Sequence, residues 1–115
     1  MNEITVREFL ESKLSVPVLM EMPKDKASQF VVIEKTGGTQ TNHIPSTILT
    51  IQSYGPSMYD AIMLNEEVKK WMLDGIEGLI SLDDVVSVEL NSDYNFTDET
   101  TKRYRYQAVF DIIHY

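Results

Sequence analysis

The 115-residue chain carries a formal net charge of −8, with 43% hydrophobic and 24% charged residues. This composition is ordinary for a globular protein, so we expect one domain over residues 1–115 with a single hydrophobic core. The acidic balance argues against general nucleic-acid binding, which needs clustered lysine and arginine. The sequence contains no cysteine, which excludes disulfides, thiol catalysis and cysteine-based zinc sites.

The N-terminal segment is predicted to be a helix. Ile4, Phe9 and Leu14 fall on one side at helical spacing. Thr5 and Glu8 match the pattern of a capping box, which predicts that the helix begins just after Thr5. Neither this segment nor any later one has an apolar run long enough for a signal peptide or a membrane span, so we expect a cytoplasmic protein.

Three strands are predicted next. Val18–Met22 and Phe30–Lys35 are short apolar runs, and the second has apolar residues on both faces, which is typical of a well-covered strand. Ser46–Tyr54 is predicted to pair with Phe30–Lys35 as a hairpin. The polar segment between them is predicted to be a long hairpin loop, and loops of this length in compact domains are commonly functional. Its candidate contact residues are Thr36, Gly37, Gly38, Thr39, Gln40, Thr41, Asn42 and His43.

The stretch SYGPSM raises the question whether Ser57 is a nucleophile or the first residue of a helix. A nucleophile elbow has the pattern G-x-S-x-G, but Tyr59 stands where the second glycine is needed. A serine nucleophile also needs a base, and the only two histidines are His43, in the predicted long loop, and His114, the penultimate residue. Ser57 followed by Asp60 is typical of a helix N-cap with an acid in the first turn. We therefore predict a structural role for both residues.

The remaining elements are a helix over residues 57–73 with Gly75 as its stop, and a second hairpin of Val85–Phe96 and Arg103–Tyr115. The predicted order is thus α-β-β-β-α-β-β. Strands that come in groups, rather than alternating singly with helices, favour the α+β class. We predict a small, mostly antiparallel sheet with both helices packed on it.

The last predicted strand interleaves arginine with tyrosine, a combination found on sheets that bind nucleic acid. Alternation places Arg103 and Arg105 on one face and Tyr104 and Tyr106 on the other. These residues therefore do not form one joint surface. We expect one face of the sheet to pack on the helices and the other to meet solvent or a partner.

No cofactor or metal site is indicated. The two histidines would need carboxylates such as Asp83, Asp84 or Asp93 to hold zinc, and the spacing of these residues does not require such a site. The stretch TGGT lacks the lysine and the following helix of a phosphate-binding loop. We expect no cofactor, no metal and no catalytic residue.

The layout of the chain resembles the tail-terminator proteins (also described as tail-completion or minor capsid proteins) of long-tailed bacteriophages and prophages. The most specific part is Thr47–Met72, where a strand ends in a short Ser/Gly turn and enters a helix. Val85–Tyr115 is similar to the closing hairpin of these proteins. The resemblance implies a structural virion protein, not an enzyme. Such proteins form a ring, commonly a hexamer, that caps the tail tube and joins it to the head.

The resemblance also implies partners and a location. The partners are further copies of the chain, in solution or only on the tail, together with tail-tube and head-connector proteins. DNA passes through the ring without specific binding, and assembly takes place in the bacterial cytoplasm before the protein becomes part of the virion. From the length and composition of the residue 36–45 segment, we expect it to contact a neighbouring subunit or the tube. Two alternatives remain open: a monomeric acidic regulatory or DNA-mimic protein, and a small α+β ligand-binding or enzyme domain.

Overall fold

A computed structural model describes residues 3–22, 29–41, 44–75, 85–97 and 103–114. Two helices and five strands occur in the predicted order, which confirms the α+β class. The helices are α1 (Glu3–Lys13) and α2 (Met58–Asp74). The strands are β1 (Val18–Leu19), β2 (Phe30–Thr41), β3 (Ile44–Gly55), β4 (Val85–Asn95) and β5 (Tyr104–His114).

The five strands form one sheet in the order β1-β2-β3-β5-β4. β1 runs parallel to β2, and every other neighbouring pair is antiparallel. Because β5 lies between β3 and β4, the chain passes over one strand position when it goes from β3 through α2 to β4. β1 and β4 are therefore the outer strands, and β1 is paired with β2 only at Val31 and Val32.

Both helices pack on one face of the sheet, here named the helix face. The alternation predicted for the last strand is confirmed there, since Ala108, Phe110 and Ile112 are fully buried. Full burial of a large apolar side chain contributes about 1.5–3 kcal/mol. This core also contains Val6, Leu10, Leu64, Val68, Met72, Val31, Ile33, Leu49 and Ile51.

The boundaries of α1 and β1 differ from the prediction. α1 begins at Glu3, so Thr5 lies inside the helix and the capping box predicted there is wrong. Threonine is tolerated in a helix interior, so the capping-box pattern alone does not fix where the helix starts. β1 ends at Leu19, and Met20 and Met22 are each 43% exposed because the chain leaves the sheet after two residue pairs.

The predicted hairpin loop is largely strand. β2 contains Thr36, Gly37, Gly38, Thr39, Gln40 and Thr41, and its last pair with β3 joins Thr41 to Ile44. A β-bulge between Lys35 and Gly37 accommodates one extra residue. The polar composition favours a loop, but ladder hydrogen bonds come from the backbone and do not require apolar side chains. Asn42 and His43 lie outside the described residues.

Candidate functional site

On the sheet face opposite the helices, Phe30, Val32 and Tyr54 of β2 and β3 form a small buried cluster with Leu19 packed against it. No described helix or strand lies over the β4–β5 side of this face. In β5, residues that alternate with the buried Ala108 and Phe110 point to this side. In β4, the residues paired with them in register share the same side. The resulting set, here named the open face, consists of Arg105, Gln107, Val109, Asp111, Glu89, Ser92, Tyr94 and Phe96.

Arg105 at one end of the open face is held between two aromatic rings. Its guanidinium carbon lies 4.3 Å from the ring centroid of Phe96 and 5.9 Å from that of Tyr54. Its Nε donates to the carbonyl oxygen of Phe96, and a terminal nitrogen donates to the Tyr54 hydroxyl at 3.2 Å. Tyr54 is itself stacked on Phe30, with centroids 4.5 Å apart. These contacts fix the guanidinium, yet it makes no ion pair with any described residue.

A chain of side-chain hydrogen bonds crosses the sheet beside Arg105. The Tyr54 hydroxyl donates to Gln52 Oε1 at 2.8 Å, and Gln52 Nε2 donates to Gln107 Oε1 at 2.9 Å. Gln107 Nε2 then donates to the Tyr94 hydroxyl. Tyr94 and Phe96 are 41% and 40% exposed, and their rings meet edge to face. The network orders three strands and leaves two aromatic side chains partly exposed.

The other end of the open face is acidic. Glu89 of β4 and Asp111 of β5 are directly opposite in register. Asn91, at a β-bulge between Leu90 and Ser92, donates from Nδ2 to Asp111 Oδ2 at 3.1 Å. Neither carboxylate forms an ion pair within the described part of the chain, and like charges directly opposite destabilise a sheet. The open face therefore carries a cation at one end and two carboxylates at the other.

Ser57 is the N-cap residue of α2, the structural role predicted for it. Its hydroxyl accepts from the Asp60 backbone N–H at 3.2 Å and donates to Asp60 Oδ2 at 2.9 Å. The preceding Gly55 is required by a close approach, because a Cβ there would lie 2.8 Å from the Ala61 nitrogen. The stretch GPS is thus a tight turn that joins β3 to α2.

A separate polar cluster on the helix face attaches α2 to β4. Lys69 Nζ lies 2.5 Å from Asp93 Oδ2 and 2.6 Å from Glu66 Oε1. Asn65, which is 1% exposed, donates to Asp93 Oδ1 at 2.7 Å. Hydrogen bonds from Lys69, first to Asp93 and then to Glu66, raise the pKa of the Lys69 ammonium above its ordinary value. The side chains of Asn65, Glu66, Lys69 and Asp93 are named the clasp.

A groove of about 440 Å³ lies between α2 and the segment that follows α1, at Ser15 and Val16. Lys13 and Lys70 lie over the Trp71 ring, with their Nζ atoms 5.3 and 5.1 Å from its centroid. Glu66, on the same groove, is already paired with Lys69. The described part of the chain contains no group of three or more potential metal ligands. The groove thus presents no arrangement that identifies a chemical reaction.

The arginine–aromatic cluster could not be found from alternation along one strand. Arg105 and Tyr106 do lie on opposite faces, as predicted, but Arg105 receives its aromatic neighbours from other strands. Tyr54 is opposite Arg105 in β3, and Phe96 follows β4. The signal therefore depends on strand order and register, which the local sequence does not contain.

None of the helices that the structure describes is long and apolar enough to cross a membrane. The sequence matches no model of a known protein family and no curated protein.

Proposed function

We propose that this chain is a structural subunit of a phage or prophage tail. In this proposal, copies associate head to tail into a ring that ends the tail tube and joins it to the head. The observation that carries the proposal is a pair of open edges on opposite sides of one sheet. β1 covers β2 only at two residues, and the outer side of β4 has no strand partner among the described residues.

A closed head-to-tail ring requires two different surface patches on each copy, and the two open edges can supply them. A head-to-tail interface joins one patch to a different patch on the next copy, and it forms a ring when the rotation closes. β2 and β4 run in opposite directions within the sheet. In a ring whose axis follows the strands, β4 of one copy would therefore meet β2 of the next as an antiparallel pair. Unpaired edges readily add such a strand.

Irregularities in both edges favour a specific register. β4 has bulges between Val85 and Ser87 and between Leu90 and Ser92, and β2 has one between Lys35 and Gly37. Bulges interrupt a straight edge and restrict indiscriminate pairing. We infer that only short matched runs pair between copies. The net charge of −8 suits a channel that repels DNA and lets it slide.

Cross-linking tests the head-to-tail arrangement, because the chain has no native cysteine. Lys35 of β2 and Leu90 of β4 are both exposed, and they point to the helix side of the sheet because their register partners, Leu49 and Phe110, are buried in the core. The double variant Lys35→Cys/Leu90→Cys, treated with a short bismaleimide, is expected to give a ladder that ends at the ring size. Light scattering and negative-stain images should show the same closed ring, in solution or on added tail tubes.

Each single-cysteine variant is the matched control. A head-to-tail interface contains residue 35 from one copy and residue 90 from the next, so neither single variant should cross-link. Dimers from a single variant without a ladder from the double variant would contradict the ring. A monomer that persists in the presence of tail tubes would contradict it as well.

A further inference from the structure

We propose that the open face is a second self-association surface, on which another copy of the chain packs face to face with its strands reversed. Arg105 of each copy then meets Asp111 and Glu89 of the other. This inference goes beyond the ring, which uses the edges of the sheet, and it does not depend on it.

Arg105 is prepared to bind a carboxylate. Of the five N–H donors of a guanidinium, Arg105 uses Nε for the Phe96 carbonyl and one terminal nitrogen for Tyr54. The remaining donors are available for a bidentate pair with a carboxylate. Because aromatic contacts already hold the side chain, little rotamer entropy is lost on binding. A chain with 18 acidic and 10 basic residues supplies carboxylates on its own copies.

The acidic end of the open face needs a cation. Glu89 and Asp111 stand directly opposite each other, and Asn91 further orients the Asp111 carboxylate. An arginine from another copy would replace their mutual repulsion with attraction. Neither the cationic end nor the acidic end of the open face has a counter-charge among the described residues. The cation at one end is the counter-charge that the carboxylates at the other end need.

The spacing allows both contacts at once. Arg105 and Asp111 are six residues apart on β5, which is about 20 Å along the strand. Ala108 lies midway, so a twofold axis that crosses β5 there places Arg105 of each copy over Asp111 of the other. Packed sheets are about 10 Å apart, a gap that an arginine and a carboxylate side chain span together. The interface is isologous, as most dimer interfaces are.

The exposed aromatic residues fit a protein partner. Phe96 contacts Arg105 and Tyr94 meets Phe96 edge to face, and tyrosine, phenylalanine and arginine are enriched in protein interfaces. Single-stranded nucleic acid also stacks on aromatic residues and arginine. The carboxylates of Glu89 and Asp111 on the same face repel phosphate, so the observations favour a second copy of the chain over nucleic acid.

Charge reversal tests the proposal through two complementary variants, Arg105→Glu and Glu89→Lys/Asp111→Lys. Sedimentation equilibrium of the full chain at physiological ionic strength should show a wild-type dimer. Each variant alone should associate at least about tenfold more weakly, because like charges then face each other at both contacts. An equimolar mixture should restore the wild-type association constant to within about threefold, since both contacts again join opposite charges.

Matched controls carry the same charge changes away from the open face. Lys70→Glu and Glu8→Lys/Glu67→Lys alter exposed residues on the helices and should dimerise like wild type. Circular dichroism of every variant checks folding, and the Glu89→Lys/Asp111→Lys variant alters no aromatic contact of Arg105. The edge cross-linking ladder should be unchanged in all of them, which separates this interface from the ring.

Three results would overturn the proposal. One is a wild-type monomer up to about 1 mM, far above the dissociation constants of specific complexes. Another is a mixture of the two variants that stays as monomeric as each variant alone. The third is Arg105-dependent binding of a fluorescent single-stranded oligonucleotide without any dimer, which would assign the open face to nucleic acid.

Discussion

Gly55 shows how one residue determines the junction between β3 and α2. A Cβ at this position would lie 2.8 Å from the Ala61 nitrogen and 2.9 Å from the Asp60 Cβ. Real Cβ atoms essentially never approach backbone so closely, and the Ala61 nitrogen belongs to a helix and cannot rotate away. The glycine therefore allows Ser57 to reach its capping position, and the apparent resemblance to a nucleophile elbow has a structural cause.

We predict that Gly55→Ala lowers the free energy of unfolding by about 1–3 kcal/mol, the usual range for overpacking. Gly37→Ala is the matched control, because a Cβ there would lie an ordinary 3.5 Å from Ile48 Cδ1. Alanine suits a strand better than glycine, so this control should be neutral or up to about 1 kcal/mol more stable. Urea denaturation measures both. Equal losses in the two variants would contradict the steric explanation.

At the scale of elements, the clasp determines how the outer strand β4 is held to α2. Lys69 is only 17% exposed and contacts carboxylates from both elements, Glu66 and Asp93. Its raised pKa means that the folded state favours the charged ammonium. This stabilisation is complete below the unfolded pKa of about 10.5 and is lost as the pH rises through the higher folded pKa.

We predict that Lys69→Met lowers the free energy of unfolding by about 1–2 kcal/mol at pH 7, since hydrogen bonds to a charged group are lost. The difference in unfolding free energy between Lys69→Met and wild type should shrink as the pH rises above about 10.5, because the wild-type Lys69 ammonium then begins to lose its proton. Lys70→Met is the control. Lys70 lies over the Trp71 ring, so this substitution should lower the free energy of unfolding by less than about 1 kcal/mol. Urea unfolding at several pH values measures this. If the Lys69→Met variant were less stable than wild type by the same amount at every pH, the clasp would not act through charge.

Element types and order follow from local pattern, whereas pairing does not. Alternation in β5 correctly predicts the burial of Phe110, because one face of a paired strand must meet the core. The pattern of residues 36–41 is polar, and it leads to the wrong expectation of a loop because backbone pairing with β3 is independent of side-chain polarity. The open face is harder still to predict. It depends on β5 lying between β3 and β4 in the sheet. This strand order is set by pairing between distant segments, and no short stretch of the sequence indicates it.

For the whole molecule, net charge opposes both the ring and the face-to-face dimer. The short dimensions of the molecule are 25 and 24 Å, so two packed copies have centres about 25 Å apart. Two charges of −8 at that distance repel by about 10 kcal/mol in unscreened water. Screening lowers this to about 4–5 kcal/mol at 0.01 M salt, and to about 0.5 kcal/mol at 0.15 M. The local pairs formed by Arg105 involve few charges, so the net repulsion dominates the response to salt.

We therefore predict that self-association strengthens when salt is raised from 0.01 to 0.15 M, by at least about tenfold in the association constant. Sedimentation velocity across a salt series measures this directly. Glu8→Lys/Glu67→Lys reduces the net charge from −8 to −4 away from the open face, so its association should depend less on salt. Association that weakens steadily over the same range would mean that local charge pairs outweigh the net charge. Assembly would then be controlled by individual contacts and not by the acidity of the molecule as a whole.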